Sequence, residues 1–437
     1  MSKKTFTLII LIILIVLGGG YYWFFVRVPS LSVNTNSTNN QNSGNGIFAP
    51  FGQPNQSNSV ATTSNNSSII ATSTISTVPV VPVLRELSTM PVGGMMSSTT
   101  ASTTIVRWID RGTGHIYQAY ADNTAIDEIS NTTIPMIYQS YWNTAANSFI
   151  FSSLSDNSNT VNDFYTTLIP SGAAPVASTS ASTSSAQLTQ YSLAGSPLSG
   201  ETLALAVSPT LGKSNNQVLT LLDDGNGGSA GYISNFDGSK KTQIFDTPLQ
   251  QINIQWPAAT TVAVTTKATA SGTGFLYFVN PKTGNFNKII GGIYGLSTLT
   301  NSDASEVLYS HTNTAGTGIT TSIYNVTTGQ SSDLPFNTLA EKCVWSTLQK
   351  TDLYCAIPSN IPSGTYPDSW YQGTVSFSDS LWEIDTITGD VHELIDLTKT
   401  AGQPVDAENL QLSPDESFIY FINKTDLSLW SFNLNAI

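Results

Sequence analysis

One short pattern recurs along the C-terminal half of the chain at a nearly fixed interval, and few architectures accommodate it. Val279-Asn280-Pro281-Lys282-Thr283-Gly284, Tyr324-Asn325-Val326-Thr327-Thr328-Gly329 and Ile384-Asp385-Thr386-Ile387-Thr388-Gly389 share an apolar residue, Asn or Asp, two variable residues, Thr and Gly. An Asx side chain accepts from backbone amides just ahead of it and glycine takes positive φ, so each copy reads as a hairpin turn. The segments before them, FLYFV, TSIY and SLWEI, are rich in the β-branched and aromatic residues that favour strands. Asn235-Phe236-Asp237-Gly238 is a degenerate fourth copy, and the four closing glycines are 46, 45 and 60 residues apart. A period in the mid-forties, with four strands per unit, predicts an all-β propeller.

A second motif runs in phase with the first. Trp142-Asn143, Val207-Ser208-Pro209, Trp256-Pro257, Leu299-Thr300-Asn301, Trp345-Ser346 and Leu412-Ser413-Pro414-Asp415 each end a strand and open a polar turn. After each comes a short apolar strand: SFIF, QVLTLL, VAV, EVLY, LYCAI, SFIYF. The copy LSPDESFIYF, Leu412–Phe421, resembles the Ser-Pro-Asp-Gly turn of TolB-type and WD-repeat-like propellers, with Glu416 where that family has glycine. The resemblance implies architecture over residues 80–437 and no particular activity.

An earlier unit spans residues 91–130, with STTIVRWID and HIYQAY as its second and third strands, which brings the count to seven; six is the alternative. The last unit stops at Ile437 without an outermost strand, whereas Val81–Ser88 (VPVLRELS) precedes the first unit and resembles one. Residues 81–88 are therefore expected to pair with Leu429–Phe432 and close the ring, leaving no open edge. Cys343 and Cys355 flank the turn TLQKTD, which sets them opposite one another on a hairpin; a cross-strand disulfide is expected, with two buried thiols as the alternative.

Ahead of the repeats, Phe6–Val26 is a run of 21 uncharged, mostly apolar residues, about 30 Å as a helix, which matches the hydrocarbon core of a bilayer. Tyr21, Tyr22 and Trp23 suit the interface, and Lys3 and Lys4 against Arg27 orient the N-terminal tip, residues 1–5, to the cytoplasm. A cleaved signal peptide is the competing reading, but bulky aromatics follow Gly18-Gly19-Gly20 where small residues would mark a cleavage site. Between Arg27 and Arg85 there is no charged residue, and the Ser/Thr/Asn-rich composition of residues 27–80 predicts a disordered linker. A single-pass membrane protein with its propeller, residues 81–437, outside the cytoplasm is the expected organisation.

Beyond the anchor, 13 Lys and Arg face 29 Asp and Glu, a balance of −16 that disfavours nucleic acid as a partner. The residues offer little chemistry. His115 starts a strand, His392 lies in an outermost strand and His311 sits at the start of HTNTAGTG; no Gly-x-Ser-x-Gly or His-Glu-x-x-His motif occurs. Gly225–Ala230 joins two strands with no helix to hold a phosphate, and Asp223-Asp224-Gly225-Asn226 lacks the later bidentate acid of a calcium loop. No cofactor and no metal are expected.

Two insertions interrupt the period. Ser171–Ser185 is low-complexity, while Ser359–Ser380 carries Tyr366, Asp368, Trp370 and Tyr371, which read either as surface anchors for a protein or glycan or as a cap folded back on its own blade. The reading that follows is a non-enzymatic protein-interaction platform. A carbohydrate or cell-wall binding module, or a hydrolase or lyase with its site at the central channel, are the alternatives.

Overall fold

The computed structural model of the protein describes residues 81–101, 103–154, 161–171, 189–198, 202–209 and 217–436. The expected membrane span at 6–26, the linker at 27–80 and all but Ser171 of the low-complexity insertion lie outside them. Among the described residues no helix is long and apolar enough to cross a membrane.

Among the described residues the strands form seven four-stranded antiparallel sheets, not six. Six are built from four consecutive strands each; the seventh takes its first three from the C-terminus and its fourth from Leu84–Ser88. The first strands, among them Val92–Thr99, Ile137–Trp142, Thr202–Val207 and Ala407–Leu412, lie against those of neighbouring sheets around the axis, and the fourth strands are outermost. Sheets packed face to face must share apolar surface, and each of the seven blade-to-blade junctions has its own buried cluster. At the closing junctions, Leu87 from the strand near the N-terminal end of the fold packs with Leu429, Tyr420 and Trp108. Its pairing register is Leu84 to Phe432, Arg85 to Ser431 and Glu86 to Trp430, with an irregularity before Ser88 meets Leu429.

The repeated turns form as their chemistry dictates. Oδ1 of Asn280 accepts from the amides of Lys282 and Thr283, Asn325 does the same for Thr327 and Thr328, and Asp385 for Ile387 and Thr388. Gly284, Gly329 and Gly389 close these turns at φ of 71°, 70° and 77°. In the turns between first and second strands, Ala146, Ala304 and Glu416 occupy equivalent positions at φ of 51°, 60° and 52°. Glu416 has a compensating role: its carboxylate reaches blade 6, accepting from Ser346 Oγ at 2.6 Å and from the amides of Thr347 and Leu348 at 2.6 and 3.0 Å. One expected boundary moves: the strand carrying Trp256-Pro257 runs through Ala258 before it turns.

In blade 6 (Cys343–Trp345, Asp352–Pro358, Asp379–Asp385, Val391–Asp396), Cys343 and Cys355 are paired across the hairpin and joined by a disulfide. The bond lies in the cluster between blades 5 and 6. Cross-linking residues 12 apart restricts the unfolded chain and stabilises the fold by about 3 kcal/mol. Urea unfolding of the Cys343→Ala/Cys355→Ala protein is expected to show an unfolding free energy lower by that margin; an unchanged free energy would assign the bond no stabilising role.

Candidate functional site

Strands alternate in direction, so the ring has two faces. Connections between blades and loops between second and third strands lie on the upper face; the two hairpin turns of each blade lie on the lower face.

The dominant feature of the upper face is the blade 6 insertion, residues 359–378. It reaches well beyond its own blade. Asp368, in the one-turn helix Asp368–Tyr371, accepts from the Ala270 amide at 2.6 Å and Thr269 Oγ1 at 3.2 Å in blade 4. The Tyr366 amide donates to Gly316 O in blade 5 at 2.8 Å. Trp370 Nε1 donates to both carboxylate oxygens of Asp406, at the entry to blade 7, at 3.2 and 2.9 Å. The Phe377 amide donates to the same carboxylate at 3.0 Å. Four consecutive blades are thereby tied together by one strap.

Beneath the strap lies Lys342, at the end of a short 3-10 turn that leads into blade 6. It is wholly buried, as are both of its carboxylate partners. Its ammonium uses three donors, to Asp379 Oδ2 at 2.8 Å, Asp406 Oδ1 at 2.5 Å and Ala407 O at 2.7 Å. The rings of Trp370 and Phe377 each centre 5.3 Å from Lys342 Nζ, and Lys424 Nζ lies 4.9 Å from the Trp370 ring. Desolvation works against the Lys342 charge, yet the two aspartates outweigh it and hold the ammonium above its ordinary pKa. Burial pushes Asp379 up to about 6 in spite of Lys342. Its Oδ2 accepts from Ala407 N at 2.7 Å, but its Oδ1 is buried with no hydrogen-bond partner among the described residues. Beside it, Tyr371 OH donates to Glu341, which also accepts from Ser297 Oγ at 3.0 Å; burial raises the Glu341 carboxyl and the Tyr371 phenol alike.

This geometry corrects the surface-anchor expectation for the insertion. Tyr366 and Trp370 are 1% and 3% exposed and belong to a separate cluster with Phe377, Ile319 and Leu339. Rings enclosed in this way cannot stack on a sugar or insert into a partner while the strap is seated. Asp368 and Tyr371 are half-buried and engaged with blade 4 and Glu341. The fold-back alternative describes the arrangement, with the difference that the insertion caps four blades instead of one. Lys342, Asp379, Asp406 and Glu341 had no local motif. The one clue is a charged pair, Glu341-Lys342, set between Leu339-Ala340 and the apolar strand Cys343–Trp345.

The remaining candidate residues are scattered. His115 precedes the third strand of blade 1 and lies 3.4 Å from Glu128, His311 ends the second strand of blade 5 stacked on Tyr309, and His392 is exposed on the outermost strand of blade 6. The Asp223 and Asp224 carboxylates accept from their own loop's amides, at Gly225 and at Asn226 and Gly228. Among the described residues no group of three or more His, Cys, Asp or Glu is placed to hold a metal ion.

The lower face differs in character. Ile387 and Leu348 are 77% and 61% exposed on the two turns of blade 6. Those turns are joined by Thr386 N donating to Thr351 O at 2.9 Å. Acidic groups surround them. Thr386 Oγ1 donates to Glu306 at 3.3 Å, the Leu348 amide to Glu416, and Lys350 pairs with Asp303 at 3.1 Å. Burial, and then the fields of Glu383, Asp385 and Glu416, raise the Asp352 carboxyl.

No protein-family model matches the chain, and no curated protein does. Among solved structures, TolB from Acinetobacter baumannii aligns over 66% of this chain and 63% of its own, at 12% identity and a TM-score of 0.39. A puromycin hydrolase aligns over 78% of this chain and 52% of its own, at 13% identity and 0.46. The β-propeller domain of the Trilobed protease from Pyrococcus furiosus aligns over 78% and 95%, at 9% identity and 0.47. The chain thus spans under two thirds of the first two. The TolB-type resemblance read in Ser413–Phe421 stands as one of architecture, and the propeller assignment rests on the seven sheets themselves.

Proposed function

We propose that the chain is a single-pass membrane protein that holds its propeller outside the cytoplasm as a non-enzymatic protein-interaction platform, with the lower rim of blades 5–7 as the docking face. The apolar run at 6–26 and the uncharged linker at 27–80 support the anchoring. The observation that carries the docking reading is the pair Leu348 and Ile387, exposed on adjoining turns among Asp303, Glu306, Asp385 and Glu416. Large apolar side chains held out on rigid turns favour contact with a partner, and their acidic surroundings select one that is apolar and basic.

A photoreactive side chain placed at Ile387 is expected to yield adducts in the native cells, whereas one at Asn313, on the upper face, yields none. The adducts should decline in 1 M salt as the charge attraction is screened. Leu348→Asp/Ile387→Asp should abolish capture by a wild-type-like fold, since exposed substitutions change stability by about 0.5 kcal/mol or less. Equal labelling at Asn313, or capture that survives the double substitution, overturns the docking face. Retention of the chain in the soluble fraction, with residues 6–26 intact, overturns the anchor.

A further inference from the structure

We propose that residues 359–378 are a pH-gated strap that hides its own aromatic side chains against the blades, seated most firmly in mild acid and released increasingly as the solution becomes alkaline. The inference does not depend on the lower-face reading, because it concerns the opposite face and a different set of residues.

Two carboxylates, Asp379 and Asp406, share the single ammonium of Lys342 in a site that excludes water, so with all three ionised one negative charge is left uncompensated. The unpartnered Oδ1 of Asp379 shows which carboxylate is less well served, since Asp406 accepts from Lys342, Trp370 and Phe377. What excludes water on the upper side is the strap: the rings of Trp370 and Phe377 lie over Lys342. Lifting the strap therefore rehydrates the cluster and relieves the surplus charge. Adding one proton relieves it with the strap in place. The two states compete for the same free energy, so proton concentration sets their balance.

The neighbouring carboxyls act in the same sense, with the fields of Lys267 and Lys424 opposing them less strongly than burial. Around the cluster stand Glu341 next to Lys342, Glu408 at the start of the first strand of blade 7, Lys424 above Trp370, and Lys267 and Tyr371 facing Glu341. Asp368 is tied to blade 4 at the far end of the strap. Burial raises the carboxyls of Asp379, Glu341 and Glu408. A carboxyl raised in the closed state favours closure below its open-state pKa and loses that contribution as pH rises through its closed-state value. For Asp379 the window runs from its ordinary 3.8 to about 6. One group with that shift makes opening roughly tenfold easier at pH 8 than at pH 5.

Release would expose the strap's own Tyr366, Trp370 and Phe377 and uncover Lys342 beneath them.

The test is hydrogen exchange of the full chain, with rates corrected for the intrinsic effect of pH. Protection at the amides of Tyr366, Trp370 and Phe377, all hydrogen-bonded in the closed strap, is expected to fall about tenfold from pH 5 to pH 8. Protection along Asp352–Pro358, in the same blade, should stay constant. Asp379→Asn, which removes the surplus charge and nearly keeps the shape, should hold the strap protected at pH 8 and flatten its profile. Protection that is level or rises with pH overturns the proposal, as does a variant that folds and keeps the wild-type slope. Should the variant not fold, the wild-type profile decides, because its sign is fixed in advance.

Discussion

Lys342→Met is expected to destabilise the fold by roughly 3–5 kcal/mol, the range for removing one partner of a buried charge cluster. Methionine fills similar volume, so the loss reports charge and not a cavity. Asp379 and Asp406 would keep their burial and lose their common counter-ion, along with a hydrogen bond to each and the one to Ala407 O. The penalty should also depend on pH. Without the ammonium the Asp379 carboxyl, already raised by burial, rises further, so at pH 5 it escapes part of the cost by taking up a proton, while at pH 8 it cannot. Urea unfolding at the two values measures this, with the larger loss of midpoint expected at pH 8. A loss below about 1 kcal/mol at both would mean that the pocket hydrates easily, which would also remove the physical basis of the gated strap.

The same cluster shows where a reading of residues stops. The turns at Asn280, Asn325 and Asp385 were legible because their chemistry is local: donor, acceptor and glycine lie within five residues of one another. Ring closure was legible because a missing strand at one end matched a spare one at the other. The disulfide was legible because a short hairpin fixes which residues face each other. Trp370 was ambiguous for the opposite reason. An aromatic side chain in a loop reads alike whether it faces water or a core, and its hydrogen-bond acceptor Asp406 lies 36 residues away on another blade. The Lys342–Asp406 contact spans 64 residues, beyond any local pattern. Glu416 falls between the cases: its departure from glycine was visible, but the compensating contacts on blade 6 were not.

Removing residues 81–88 should have the largest effect of any short deletion. Leu84–Ser88 seals two junctions together, packing Leu87 with the blade 7–1 cluster and Leu84 against the blade 6–7 cluster. Its loss costs a row of ladder hydrogen bonds at about 1 kcal/mol each and the burial of two leucines at about 2 kcal/mol each, on the order of 5 kcal/mol or more. That corresponds to a fall in Tm of roughly 7 °C or more in a domain of this size. It would also leave Leu429–Asn433 as an unpaired edge, so concentration-dependent association through strand addition should accompany the loss. A decisive control separates an opened ring from a misfolded one. A synthetic peptide of residues 81–90 added in trans should restore much of the Tm and suppress association, since an exposed edge accepts a matching strand. The same peptide with Leu87→Asp should not, because Leu87 supplies the buried contact at the junction with blade 1. If the deletion variant keeps its Tm and stays monomeric, the strand is an accessory and the seven blades are held by their junction clusters alone.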